Sequence, residues 1–281
     1  MAGGWSTFLP AYLLPTPGHL KPMTVFYLKL FITPLLMLSI SLAAKRWGTH
    51  IGGLLSGLPI TSASVMLFLS LEQGPAFASL AVPGALAGVA AIQAAYLCYF
   101  QVTRRLPAWG GCMLALAVYA AAGMLMSTLG WLELSVVAAL CLILALLYVT
   151  ANTGELGQAR YVAMPRWVIP MRMLTATLLL LAITAGAQWF GPQVSGLLAP
   201  IPVIAWPLTV FTHVQGGRYE LATVVRGNAI GAVGVLGFYL VLKALVQDWG
   251  IVLTLALAVA LAVAVTALLA ASLKQQGAKA P

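Results

Sequence analysis

From residue 24 onward the chain is a succession of long apolar runs, separated by short stretches that hold most of its charge. A helix must be about 20 apolar residues long to cross a hydrocarbon core roughly 30 Å thick. On that measure the runs predict nine transmembrane helices, at 24–43, 51–71, 77–100, 110–128, 132–150, 173–190, 194–214, 221–245 and 251–273. Residues 110–150 are too long for one helix, and Leu129-Gly130-Trp131 divides them, with a glycine for the turn and a tryptophan suited to the membrane interface. Residues 1–23 carry Trp5, Pro10, Pro15 and Pro17 without a basic n-region. They read as an irregular or interfacial arm, neither signal peptide nor span. Residues 274–281 form a short tail.

Composition turns this pattern into a statement about solvent. The 281 residues are 62% hydrophobic and 7% charged, with a mean hydropathy of +1.01. Soluble domains carry about 25% charged residues, so the surface implied here faces lipid. The pI near 9.8 would suggest nucleic acid in a soluble chain. Here the basic residues lie in short connections and form no patch, so nucleic acid is excluded as a partner and membrane lipids are expected instead. With the N-terminus outside, one face holds Lys45, Arg46, Arg104, Arg105, Arg160, Arg166, Arg172, Arg218, Arg226, Lys274 and Lys279. The other keeps Lys21, Lys29 and Lys243, with Glu72, Glu133 and Asp248. That bias is the positive-inside pattern of a bacterial inner-membrane protein with a cytoplasmic C-terminus. Cys98, Cys112 and Cys141 lie within apolar runs at no metal-ligand spacing and read as packing residues, and no cofactor is expected.

The chain also resembles itself. At an offset of 143 positions Gly48 meets Gly191, Gly53-Leu54-Leu55 meets Gly196-Leu197-Leu198, Pro59 meets Pro202 and Phe68 meets Phe211. The register continues through Gly74 and Gly217, Gly84 and Gly227, and Gly88 and Gly231, and upstream Lys29 meets Arg172. Apolar helices match by chance through Leu and Ala, but Gly and Pro agreeing at one offset over more than 40 residues point to a repeat. Residues 24–128 then form one four-helix unit and 173–273 a second. The unpaired helix 132–150 inserts the second unit upside down, giving an all-α polytopic fold of two inverted-topology repeats joined by a linker helix.

The stretch from Leu28 to Gly74 has Lys29 opening its first span, Lys45-Arg46 closing it, then Gly52-Gly53-Leu54-Leu55, Leu58-Pro59, Thr61-Ser62 and Gly74. In this it resembles the small four-helix bacterial inner-membrane proteins of the GlpM type. The second half keeps the pattern more loosely, with Arg172 as the basic opener and Ile204-Ala205 in place of Thr-Ser. The resemblance implies a fused pair of four-helix units and little about activity.

In each half the second span is interrupted. Gly52, Gly53, Ser56, Gly57 and Pro59 interrupt 51–71, and Gly196, Pro200, Pro202 and Pro207 interrupt 194–214. A proline inside a helix removes a hydrogen bond at a cost of about 3 kcal/mol. Backbone groups freed in lipid need protein or cavity water. Paired interruptions at equivalent places therefore point to a midplane binding site. The candidate substrate-binding residues are Ser56, Pro59, Thr61, Ser62, Ser64, Pro202, Trp206, Thr209, Arg226 and Asn228. Helix starts after Pro59 and Pro202 would present N–H groups to an anion or carbonyl oxygen. The hydroxyls have an alternative use, bonding the carbonyls of their own helices. Arg226 either faces a cavity or snorkels to headgroups, and Asn228 lies too deep to snorkel. His50 and His213 read as interfacial, and Glu72 as a solvated residue at the outer end of its span.

These features predict a small secondary transporter or facilitator of an anionic or zwitterionic metabolite. The alternative is a non-transporting lipid-handling or membrane partner protein. An intramembrane enzyme is disfavoured, because there is no HExxH motif, no paired acids and no Ser-His arrangement suited to nucleophilic catalysis.

Overall fold

The computed structural model describes residues 22–56, 58–129, 132–151, 167–202 and 205–277. Residues 1–21 of the N-terminal arm therefore lie outside the described residues, as do 278–281 of the tail, whereas Pro22 and Met23, expected in the arm, open the first helix. The described elements are all helices: α1 (Pro22–Ser56), α2 (Ile60–Gln73), α3 (Pro75–Val102), α4 (Ala108–Leu129), α5 (Leu132–Ala151), α6 (Val168–Leu198) and α7 (Ala205–Gly277). Five of them, α3 to α7, are long and apolar enough to cross a membrane. The described architecture is helical and consistent with a multi-pass membrane protein.

Glycine and proline cut these helices into shorter rods. Gly74 stands between α2 and α3 at φ 92°, ψ 161°, a conformation open to glycine alone, and Pro75 opens α3. Gly191 breaks α6 in the same way at φ 74°, ψ 173°, again just before a proline. The proline ring keeps its preceding residue out of the helical region, which accounts for the extended ψ at both glycines. Gly217 and Gly250 break α7 at φ 73° and 69°. The rods of α7 are therefore 205–216, 218–249 and 251–277.

Most expected spans fall close to these rods, but the interrupted ones do not stand as single helices. The connection expected at 44–50 is helical, because α1 runs unbroken to Ser56. Beyond Pro34 no residue of α1 lacks a backbone N–H, and an isolated helical glycine costs only about 1 kcal/mol. The expected span 51–71 is thus shared between the end of α1 and α2. The expected span 194–214 is shared between the end of α6 and the start of α7.

The centre of the molecule is α3, which packs against α4, α5, α6 and α7. Small residues make this possible. A methyl group at Gly84 would collide with the Gln193 carbonyl, one at Gly88 with Leu197 and Pro200, and one at Gly196 with the Ala81 carbonyl. These helices meet backbone to backbone, as small residues permit in lipid.

Contacts along α3 also set the direction of its neighbours. Gly84 touches Gln193, Gly88 touches Leu197 and Pro200, Tyr96 and Tyr99 stack on Trp206, and Phe100 meets Arg218. Numbers rise together on both sides, so 192–202 and 205–216 both run parallel to α3. By contrast, α2 turns back at Gly74, and its start (Leu58, Thr61, Ser62) lies level with Val89, Ile92 and Gln93. It runs antiparallel to α3. Hence α2 and the 192–216 stretch run in opposite directions.

Candidate functional site

Both interruptions lie beside the middle of α3. In the first, α1 ends at Ser56 and α2 starts at Ile60, with Pro59 (φ −76°, ψ 38°) at the join. Among the described residues no side chain caps the new helix, and the Ala63 N–H donates to the Pro59 carbonyl at 2.7 Å. In the second, α6 ends at Leu198 and α7 starts at Ala205, with Trp206 N–H donating to the Pro202 carbonyl at 2.9 Å. The first N–H groups of a helix have no partner within it and carry its positive dipole end. Because the two helices run in opposite directions, both positive ends face the middle of the molecule.

A cavity of about 40 Å³ separates them, lined by Leu58, Thr61, Ser62, Gln93, Pro200, Pro202 and Asn228, with Val89, Ile92, Ala232 and Val235. That is room for a few waters, at roughly 10–15 Å³ each on this measure. Gln93 is only 2% exposed, and its Oε1 has no hydrogen-bond partner among the described residues. An unmatched buried carbonyl costs about 1–3 kcal/mol, so water or a ligand group belongs here. Two fully buried tyrosines flank the region. The Tyr96 hydroxyl stands beside Thr209 and that of Tyr239 beside Ser62, in neither case with the geometry of a hydrogen bond.

Of the residues expected at the site, the fold brings Thr61, Ser62, Pro202 and Asn228 to this cavity, and Pro59 is buried at its edge. Ser64 and Thr209 hold their own helices instead. Ser64 donates to the Ile60 carbonyl at 3.1 Å, and Thr209 donates to that of Ala205 at 2.7 Å. Trp206 stacks on Tyr96 and Tyr99 and donates its ring N–H to the Cys112 sulfur at 3.2 Å. Arg226 is partly exposed and is not among the cavity residues. The Ser56 side chain lies outside the described residues. Gln93, Tyr96 and Tyr239 were not singled out from the sequence, although the two tyrosines stand 143 positions apart.

A second cavity, of about 310 Å³, adjoins the first and shares Ile92 and Pro202 with it. Its walls come from α3, α4, α6 and the second interruption, and include Ala95, Leu116, Tyr119, Met171, Thr175 and Trp206. A third, of about 10 Å³, lies between Thr33, Thr61, Ser64, Ala176 and Ala199.

At the end of the molecule where α2 meets α3, Lys29 Nζ lies 2.5 Å from Glu72 Oε1 and donates to the Thr184 hydroxyl at 2.7 Å. The Phe68 ring is 5.7 Å away. Glu72 is therefore not simply solvated, and Lys29, 4% exposed, is not a loop cation. Lys29 sits seven residues inside α1, too deep for its ammonium to go without a counter-charge. At the opposite end, Arg218 donates to the Phe100 carbonyl at 2.9 Å over the Phe100 ring, and the Tyr99 hydroxyl hydrogen-bonds His213 Nδ1 at 3.0 Å. Arg104 and Arg105 lie exposed at this same end, just beyond α3. No group of three or more His, Cys, Asp or Glu able to hold a metal occurs among the described residues.

Comparison with models of known families, with curated proteins and with solved structures gives no match to this chain.

Proposed function

We propose that the protein is a small secondary transporter or facilitator for an anionic or zwitterionic molecule, with its site where the two interrupted helices meet at the membrane midplane. The observation that carries this reading is the cavity between them. Two helix starts approach it from opposite directions, and the buried Gln93 carbonyl beside them calls for a donor, such as the ammonium of a zwitterion. Converging positive dipole ends favour an oxygen-bearing, negatively polarised group.

The underlying architecture we propose is a pair of four-helix units of inverted topology, giving nine membrane passes with α5 as the linker. Residues 143 positions apart repeatedly occupy matching places. Gly74 and Gly217 share one unusual backbone conformation. Val89 and Ala232, and Ile92 and Val235, line the same cavity, while Thr33 and Ala176 line another. Tyr96 and Tyr239 each face a hydroxyl of the opposite half. Facing pairs of equivalent residues are what a pseudo-two-fold axis through the cavity would produce. The opposite directions of α2 and the 192–216 stretch support inversion. The charge bias supports an N-terminus outside and a C-terminus in the cytoplasm of a bacterium. The resemblance to GlpM-type proteins fits a fusion of two such units.

The test has two parts. In a variant lacking native cysteines, Gln73→Cys and Gln215→Cys should react with an impermeant maleimide from opposite membrane faces. A thermal-shift screen of small anionic and zwitterionic metabolites should yield a stabiliser, and that stabiliser should show saturable flux in proteoliposomes. Labelling from one face defeats the architecture, and stabilisation without flux defeats the transport reading.

A further inference from the structure

The two adjoining cavities differ in chemistry. Every polar side chain in the walls of the larger one already has a partner: Tyr119 donates to the Leu197 carbonyl at 3.1 Å, Thr175 to that of Met171 at 2.8 Å, and Trp206 to Cys112. What these walls offer a ligand is hydrocarbon and ring surface. The smaller cavity holds the reverse, with the Asn228 carboxamide, the Thr61 and Ser62 side chains and the Gln93 Oε1, which a water or a ligand O–H can satisfy. Ile92 and Pro202 belong to both, so the two spaces are neighbours with these side chains between them.

The larger space opens sideways. Its rim is Leu116 on α4 and Met171 and Thr175 on α6, all exposed on helix faces that the composition places in lipid. At about 310 Å³ it stands at the low end of small-molecule pockets, roughly 300–1,000 Å³, and suits one chain, not two. The halves differ here. The counterpart of Ala95, 143 positions on, is Phe238, a fully buried ring, and the counterpart of Trp206 is Ala63. A side chain as large as that of Phe238 would fill the space that Ala95 leaves open.

We infer that the ligand is a single-chain amphiphile, whose oxygen-bearing head enters the polar cavity at the interruptions while its apolar tail lies in the groove between α3, α4 and α6. This rests on the midplane-site reading above and adds the class of molecule and its route, sideways from the bilayer. The polar cavity alone is too small for a whole metabolite. A head group needs only the few-water volume there, because the remainder of the molecule occupies the groove.

The test uses the full chain in lipid nanodiscs with a single-chain fatty acid bearing a mid-chain diazirine. After illumination, adducts should map by mass spectrometry to 171–179, 201–207 and α4 near Leu116. Decanoate should compete and acetate should not. Ala95→Phe and Thr175→Phe should each suppress the adducts; Thr175 faces lipid, so that variant folds even where the first does not. Asn228→Ala should weaken decanoate competition about tenfold, the loss of roughly one hydrogen bond to a charged group. Adducts spread over all lipid-facing helices without competition, or persisting in Thr175→Phe, overturn the inference. Acetate competing as well as decanoate overturns the tail site while leaving a carrier for small anions. Mapped, competed adducts without decanoate flux uphold the amphiphile site and defeat transport.

Discussion

Replacing Glu72 by Gln offers a sharp test of how the α2–α3 end is held. In the native fold, Lys29 is 4% exposed and has three neighbours for its ammonium: the Glu72 carboxylate, the Thr184 hydroxyl and the Phe68 ring. Glu72→Gln leaves a buried cation with the last two and a neutral amide. Breaking a buried pair in this way costs about 3–5 kcal/mol. The Glu72 side chain is 25% exposed, so water reaches the pair and the lower end, about 3 kcal/mol, applies. Lys29→Met removes the buried charge itself and leaves a carboxylate that water can solvate, at about 1 kcal/mol. The double variant has neither charge and should lose about 1 kcal/mol, not the 4 or so of additive losses, a coupling near 3 kcal/mol. Reversible unfolding of the pure protein in mixed micelles, titrated with dodecyl sulfate, measures all four species. Additivity to within about 0.5 kcal/mol would mean that the two residues act independently, and would refute the reasoning.

Other consequences are equally direct. Gly84→Ala and Gly196→Ala each press a methyl into a backbone carbonyl and should cost about 1–3 kcal/mol by the same unfolding assay. Gly237→Ala, with nothing within 4 Å, should be neutral or stabilising, and equal losses at all three positions would remove the close-packing argument. Gly217→Ala forces a side chain into φ 73°, ψ −162°, and should lower stability by about 1–3 kcal/mol without changing helical circular dichroism. For a ligand found by thermal shift, Asn228→Ala should weaken binding while Arg226→Ala leaves it within twofold. A larger effect of Arg226→Ala would mean that the guanidinium reaches the ligand.

Much of the helix layout could be read from the chain where glycine and proline mark its ends. Expected spans 77–100, 110–128 and 132–150 lie within two residues of α3, α4 and α5 at each end. Gly74-Pro75, Pro107 and Gly130-Trp131 punctuate those helices, and backbone chemistry at such places leaves little choice. The end of the first span was not legible, because Gly48, Gly52 and Gly53 resemble a turn, yet α1 continues through them to Ser56. A helical glycine is only weakly unfavourable, and packing decides its fate. The polar lining of the cavity was legible as Thr61, Ser62 and Pro202, which the interruptions mark, and as Asn228, a polar residue deep in an apolar run. Gln93 was not, because a single amide in an apolar helix gives no pattern. Lys29 looked like a flank residue for a related reason: its partner lies 43 positions away, and no local periodicity connects them.

The two ends of the molecule are latched by different chemistry. Lys29, Glu72 and Thr184 tie one end together with full charges, while Tyr99–His213 and Arg218–Phe100 fasten the other, where Glu220 is also buried. The residue matching Glu72 in the second half is Gln215, so the Lys29–Glu72 contact is not repeated at the matching pair of positions. In a carrier of the kind proposed, unlatching one face then requires a different energy from unlatching the other. The idle protein would rest facing one compartment by virtue of its own side chains, before any gradient acts on it.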